Sequence, residues 1–183
     1  VCSSDLDRVE LTMNLKKKQR LILWIRKPDW ADKATLIING KAEQLLLGND
    51  GYWMIDKVWN RKNRISLQLP MHTYTENLIG TGRYVALLYG PYVLAGRMGK
   101  ENLPSTFWGK MNNTAMNKMD LSKVPVFNIP ATQIPDHVEP VFERGTLRFN
   151  IHLKGFENVV LEPFYKIHFE RYAIYWPTAS SNE

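Results

Sequence analysis

The 183-residue chain is 44% hydrophobic and 11% aromatic, too apolar for a disordered segment and long enough for one or two domains with their own cores. Its formal charge of +6 comes from 24 Lys+Arg against 18 Asp+Glu, a modest excess compatible either with attracting nucleic acid or with simply keeping the surface solvated. The single cysteine, Cys2, excludes an internal disulfide and leaves no cysteine cluster for zinc.

The chain opens VCSSDLDRVELTMNL with no initiator methionine and no apolar leader, so it reads as beginning in mid-protein. Residues 1–6 look like the translated end of a sequencing adapter, which would make Cys2 an assembly artefact. The basic cluster Lys16-Lys17-Lys18-Gln19-Arg20 directly precedes a strand-like run and reads as a charged strand entrance that discourages edge-to-edge pairing. Nucleic-acid binding through it is the weaker alternative.

Leu21, Leu23 and Ile25 alternate with Ile22, Trp24 and Arg26 until Lys27-Pro28-Asp29 turns the chain. A second strand over 34–38 closes at Asn39-Gly40, the pair that most readily takes the positive backbone angles of a tight hairpin. Asn49-Asp50-Gly51 precedes a strand over 52–58. Residues 64–69 then put Ile65, Leu67 and Leu69 on one face with Ser66 and Gln68 on the other, a half-buried antiparallel strand.

The apolar stretch RYVALLYGPYVLAG, at 83–96, is broken by Gly90-Pro91 into runs of about six residues. A membrane-spanning helix needs roughly twenty, so the stretch reads as two central strands joined at a corner. From Met98 to Pro135 no period is sustained, which marks an irregular linker or excursion. Beyond it Leu147, Phe149, Ile151 and Leu153 alternate with Arg148, Asn150, His152 and Lys154, placing His152 outward. In the tail, Tyr172, Ile174 and Trp176 stand opposite Ala173 and Tyr175.

Strands at intervals of ten to fifteen residues without helical periodicity predict an all-β protein, an antiparallel β-sandwich followed by a smaller β unit. The expected divisions are 7–98 for the sandwich, 99–135 for the linker and 136–183 for the second small unit or strands completing it. Leu67, Leu87, Val93, Phe149 and Ile151 are expected to be buried.

The chemistry-bearing residues form no recognisable constellation. His72, His137, His152 and His168 lie too far apart to present two imidazoles to one ion. Glu139, Glu143, Glu157, Glu162 and Glu170 show only the spacing of a solvated surface. A carboxylate such as Glu139 or Glu162 working with a partner distant in sequence stays open, because glycosidase carboxylates need only flank one bond. Trp30, Trp59, Phe107 and Trp108 are candidates for stacking on sugar rings, although aromatics in sheet proteins are mostly core. No catalytic, metal or cofactor-binding residue is assigned.

The ordered segments LILWIRKPDWADKATLIINGKA (21–42), GYWMIDKVW (51–59), RISLQLPM (64–71) and GRYVALLYGPYVLAG (82–96) resemble the β-sandwich that follows the catalytic barrel in glycoside hydrolase family 127, the β-L-arabinofuranosidase family. The tail PFYKIHFERYAIYW (163–176) is similar to the closing segment of Bacteroidetes-type members. The resemblance implies a parent enzyme with a zinc-bound cysteine thiolate as nucleophile and a glutamate as general acid, both in an upstream (α/α)6 barrel. It implies no cofactor for this chain itself, and it leaves the location open, a periplasmic or secreted one being compatible with it. It also implies an aspartate after His168, where this chain has Phe169 followed by Glu170.

The leading reading is therefore a non-catalytic accessory region of a glycoside hydrolase, partnered by that upstream barrel, with carbohydrate as a further candidate partner and neither nucleic acid nor a membrane expected. A stand-alone carbohydrate-binding module and a basic adhesion or nucleic-acid-binding domain are the alternatives. His168, Arg171 and Tyr172, polar or amphipathic groups in an apolar ending, are the candidate domain-interface residues.

Overall fold

The computed structural model describes residues 7–80, 82–100, 124–143 and 146–179. The Cys2 expectation and most of the 99–135 excursion, including Phe107 and Trp108, lie outside them. Among the described residues the regular structure is all strand apart from two short 3-10 turns, Ala131–His137 and Phe164–Lys166. The chain divides into two compact units, 1–72 and 73–183.

The first unit holds seven strands: β1 (Arg8–Thr12), β2 (Gln19–Arg26), β3 (Thr35–Ile38), β4 (Lys41–Glu43), β5 (Leu46–Leu47), β6 (Tyr52–Trp59) and β7 (Arg64–Gln68). They form an antiparallel sheet in the order β1-β7-β3-β4 and a second in the order β2-β6-β5. Leu36, Ile38 and Ile65 of the first pack with Ile55 and Trp59 of the second, so the inward sides of both sheets build one core and make a sandwich. The β3–β4 hairpin turns at Asn39 (φ 51°) and Gly40 (φ 81°). Both residues take the positive angles that match the right-handed twist of the flanking strands.

The second unit is one antiparallel sheet of β8 (Thr73–Asn77), β9 (Tyr84–Tyr89), β10 (Tyr92–Arg97), β11 (Val138–Glu143), β12 (Thr146–Ile151), β13 (Val160–Pro163), β14 (Tyr172–Ala173) and β15 (Tyr175–Pro177). The order runs β11-β12-β13-β10-β9-β15, with β8 also on β9 and β14 also on β10. Gly90 supplies the positive φ of 51° that lets two residues join β9 to β10. One face carries the core: Val85, Leu87, Leu94, Leu147, Phe149, Ile151, Leu161 and Trp176 pack with Phe127, Ile134 and Phe156.

Two expectations change. The division expected at residue 98 falls between His72 and Thr73, and the second unit is the larger, because β9 and β10 pair with β15 and β13 rather than with the sandwich. Apolar content shows that a strand is central; it does not show which distant strand lies beside it. Of the five expected core residues Leu67, Leu87, Phe149 and Ile151 are buried, but Val93 is half-buried. Val93 stands opposite Leu88, while its neighbour Leu94 stands opposite Leu87 on the core face and is fully buried.

The tail differs as well. Ala173 and Trp176 are the buried residues, three apart where strict alternation requires an even spacing. The chain bends at Ile174, leaving β14 on the end of β10 and starting β15 on β9.

Candidate functional site

The outward face of the second sheet, opposite its core, carries the charged groups. Ladder register sets them together: Phe149 pairs with Leu161, so Arg148 and Glu162 are directly opposed on the other face, and Ala95 pairs with Glu162 on the far side, bringing Arg97 to the diagonal position. The Arg97 Nη2 donates to Glu162 Oε2 at 2.7 Å and the Arg148 Nε donates to Glu162 Oε1 at 3.1 Å. Arg97 also forms an ion pair with Glu170. Glu162 is buried. Burial pushes its pKa up, but the Arg97 hydrogen bond and charge, with the charge and hydrogen bond of Arg148, outweigh burial and hold the carboxyl below its ordinary range.

The loop between the 3-10 turn Phe164–Lys166 and β14 closes over this end of β10. Ile167 is buried as its anchor. The Arg171 backbone N–H donates to the Gly99 carbonyl at 3.0 Å, and the Arg171 carbonyl accepts from the Met98 N–H at 2.9 Å. Between these fastenings Phe169 holds a left-handed backbone, φ 60°, with 66% of its surface exposed.

The three candidate interface residues thus share one clamped segment. His168 is exposed, its ring 6.1 Å from that of Phe169. Arg171 is half-buried, and Tyr172 is exposed opposite Arg97, its ring 4.8 Å from Phe164. Exposed Tyr165, beside Tyr92 at 5.7 Å, continues the aromatic character of the segment. The surface presents aromatic rings next to basic groups, the composition of protein-interface anchors.

Arg97, Arg148 and Glu170 were not among the expected site residues. The one signal for the two arginines in the sequence is Glu162 itself, a carboxylate inside the apolar run Val159-Val160-Leu161 and Pro163-Phe164, since a carboxylate in a buried strand requires cationic partners. Glu139 and Glu162 engage different partners. Glu139 Oε2 contacts His152 Nε2 at 2.8 Å in the open, whereas Glu162 contacts Arg148.

The Glu157 carboxylate accepts the Gly155 N–H at 3.0 Å at each oxygen and closes a turn. Trp59, considered for sugar stacking, is fully buried with Nε1 donating to the Leu21 carbonyl at 2.9 Å. Trp30 packs against the core around Ala31 and Trp53. Among the described residues no three His, Cys, Asp or Glu side chains group to hold a metal ion. No helix among them is long and apolar enough to cross a membrane.

Comparison with known proteins gives two family matches. Residues 74–178 match a domain of unknown function, DUF4986, and residues 3–71 match the β-L-arabinofuranosidase GH127 middle domain. No curated protein matches the chain. Among solved structures, a GH127 β-L-arabinofuranosidase from Geobacillus stearothermophilus T6 superposes with a TM-score of 0.66 at 16% identity over 94% of this chain and 29% of its own. A glycoside hydrolase gives 0.59 at 15% identity, over 95% of this chain and 30% of its own. A GH127 β-arabinofuranosidase gives 0.60 at 13% identity, over 97% and 31%. At these identities the likeness is one of fold, and the chain spans less than a third of the length of these proteins.

Proposed function

The chain belongs to the DUF4986 family, with a GH127 β-L-arabinofuranosidase middle domain ahead of that domain, and on that premise we propose that it is a non-catalytic accessory region of a glycoside hydrolase acting on β-L-arabinofuranosides of plant-type glycans. In this reading it packs on an (α/α)6 catalytic barrel elsewhere in the same polypeptide, and the segment of His168, Arg171 and Tyr172 faces that barrel. The observation that carries the reading is one of extent: solved GH127 proteins share the fold of nearly this whole chain, which accounts for less than a third of each of them.

The geometry of the carboxylates agrees. A general acid needs a pKa raised toward neutrality, and the buried Glu162 is held ionised by Arg97 and Arg148. Glu139 is exposed and its carboxylate is engaged by His152. Arg171 brings a planar guanidinium suited to backbone carbonyls or a carboxylate across an interface.

The test is to incubate the purified chain with a panel of nitrophenyl glycosides that includes the β-L-arabinofuranoside, with and without zinc and a thiol reductant. No turnover is expected. Turnover that survives purification and disappears in Glu139→Gln or Glu162→Gln would overturn the accessory role.

A further inference from the structure

The outward face of the β2-β6-β5 sheet is apolar where a solvated sheet face is ordinarily polar. On β2, Leu21, Leu23 and Ile25 pack into the sandwich core, and alternation sends Ile22 and Trp24 to the other side, where 49% and 52% of their surfaces remain exposed. Register adds the neighbours. Arg20 stands opposite Val58, Ile22 opposite Asp56, Trp24 opposite Met54 and Arg26 opposite Tyr52, and Leu46 of β5 also pairs with Met54. Val58 is 53% and Leu46 54% exposed, with Tyr52 exposed beside them.

An antiparallel strand with one wet face alternates apolar with polar. A continuous run such as LILWI at 21–25 is the pattern of a strand covered on both faces. Only one of those covers is present in the sandwich.

The chemistry of the patch selects its occupant. Its central charges satisfy each other: Arg20 Nε and Nη2 donate to Asp56 Oδ1 and Oδ2 at 2.8 and 2.6 Å, leaving a middle of aliphatic groups and an indole with Tyr52 and Arg26 at one end, the apolar centre, aromatic rings and arginine of a protein-facing surface. Five large side chains left half-exposed amount to an apolar area on the order of 400 Å2, the size that marks an interaction site. It falls short of the roughly 800 Å2 per partner of a standard stable complex between separate proteins, and it suits a domain interface within one chain.

We propose that this face is a docking surface for the remainder of the same polypeptide, separate from the His168–Tyr172 segment. The proposal rests on the accessory-region reading and names a second place where that contact is made.

The experiment maps tryptophan oxidation by mass spectrometry, using N-bromosuccinimide on the 183-residue chain and on the full-length protein that contains it. In the chain alone Trp24 reacts ahead of the buried Trp53, Trp59 and Trp176. In the full-length protein its oxidation slows at least tenfold, and Val58→Asp restores it without changing Trp53 or Trp59. Equal Trp24 reactivity in both, with peptides covering 168–172 protected from hydrogen exchange only in the full-length protein, overturns this surface and leaves the accessory reading standing. Reactivity and exchange unchanged at both places overturn both. Protection of Trp24 in the isolated chain that vanishes on dilution assigns the face to a second copy and overturns the proposal.

Discussion

Gly96 of β10 lies beneath the indole of Trp176: a methyl group on its α-carbon would stand 2.6 Å from Cη2 and 2.9 Å from Cζ2. The ring has no room to retreat, because Trp176 is fully buried with Phe127 and Phe156 around it at centroid distances of 6.1 and 5.9 Å. Gly96 is therefore required by space rather than by backbone angle. Overpacking of this kind costs about 1–3 kcal/mol, so Gly96→Ala should melt several degrees below the parent. An unchanged melting temperature would show that the indole is not held where the structure places it.

The Arg97–Glu162–Arg148 arrangement predicts a pH signature. Glu162 has a folded-state pKa below its ordinary 4.5, so its contribution is fully present above that value and is lost as pH falls through the folded pKa. At pH 7 Glu162→Gln should cost roughly 1–2 kcal/mol, less than a fully buried pair because both arginines are partly exposed. Denaturant unfolding of parent and variant at pH 7 and at pH 3 should show that difference shrinking on acidification. A constant difference would mean that the carboxylate contributes packing and not charge.

Much of the fold was legible, and the part that was not has a common cause. Ile65, Leu67 and Leu69, and again Leu147, Phe149 and Ile151, announced their buried faces through alternation, which is local physics. Asn39-Gly40 announced its turn for the same reason. The neighbour of each strand was not legible: β10 lies between β9 and β13, and nothing in YVLAGR says that residues 161–163 will arrive beside it. The site followed the same division. The candidates His168, Arg171 and Tyr172 were singled out only as polar groups in an apolar ending, whereas the contacts of Arg97 and Arg148 with Glu162 exist because two long-range ladders set them side by side.

Phe149 tests the larger unit as a cooperative whole. It is fully buried, opposite Leu161 and Pro140, with its ring 5.0 Å from that of Tyr89 in an edge-to-face contact. Removing a buried phenyl ring costs about 3–5 kcal/mol, and an unpaired carboxylate in its place costs more. Phe149→Asp should abolish the cooperative melting of this unit, while Phe149→Leu should lower its melting temperature by several degrees only. Equal melting temperatures for the parent and Phe149→Asp would refute the burial.

Phe169 makes the opposite prediction, a gain in stability. Its φ of 60° is costly for a bulky side chain and free for glycine. Relief of left-handed strain is worth about 1–2 kcal/mol, so Phe169→Gly should raise the melting temperature of the isolated chain, less the backbone entropy that glycine adds to the unfolded state. Phe169→Val, with branching at Cβ, should lower it. The fastenings at Glu170 to Arg97 and at Arg171 to Gly99 and Met98 hold the loop whichever residue lies between them, so the substitutions report on this backbone angle and not on loss of the loop. A residue kept against local stability belongs where it acts on something else. Under the docking proposed for this segment, Phe169→Gly should gain less stability in the full-length protein than in the isolated chain. Equal gains in the two settings would remove Phe169 from the interface, and a loss in the isolated chain would remove the strain.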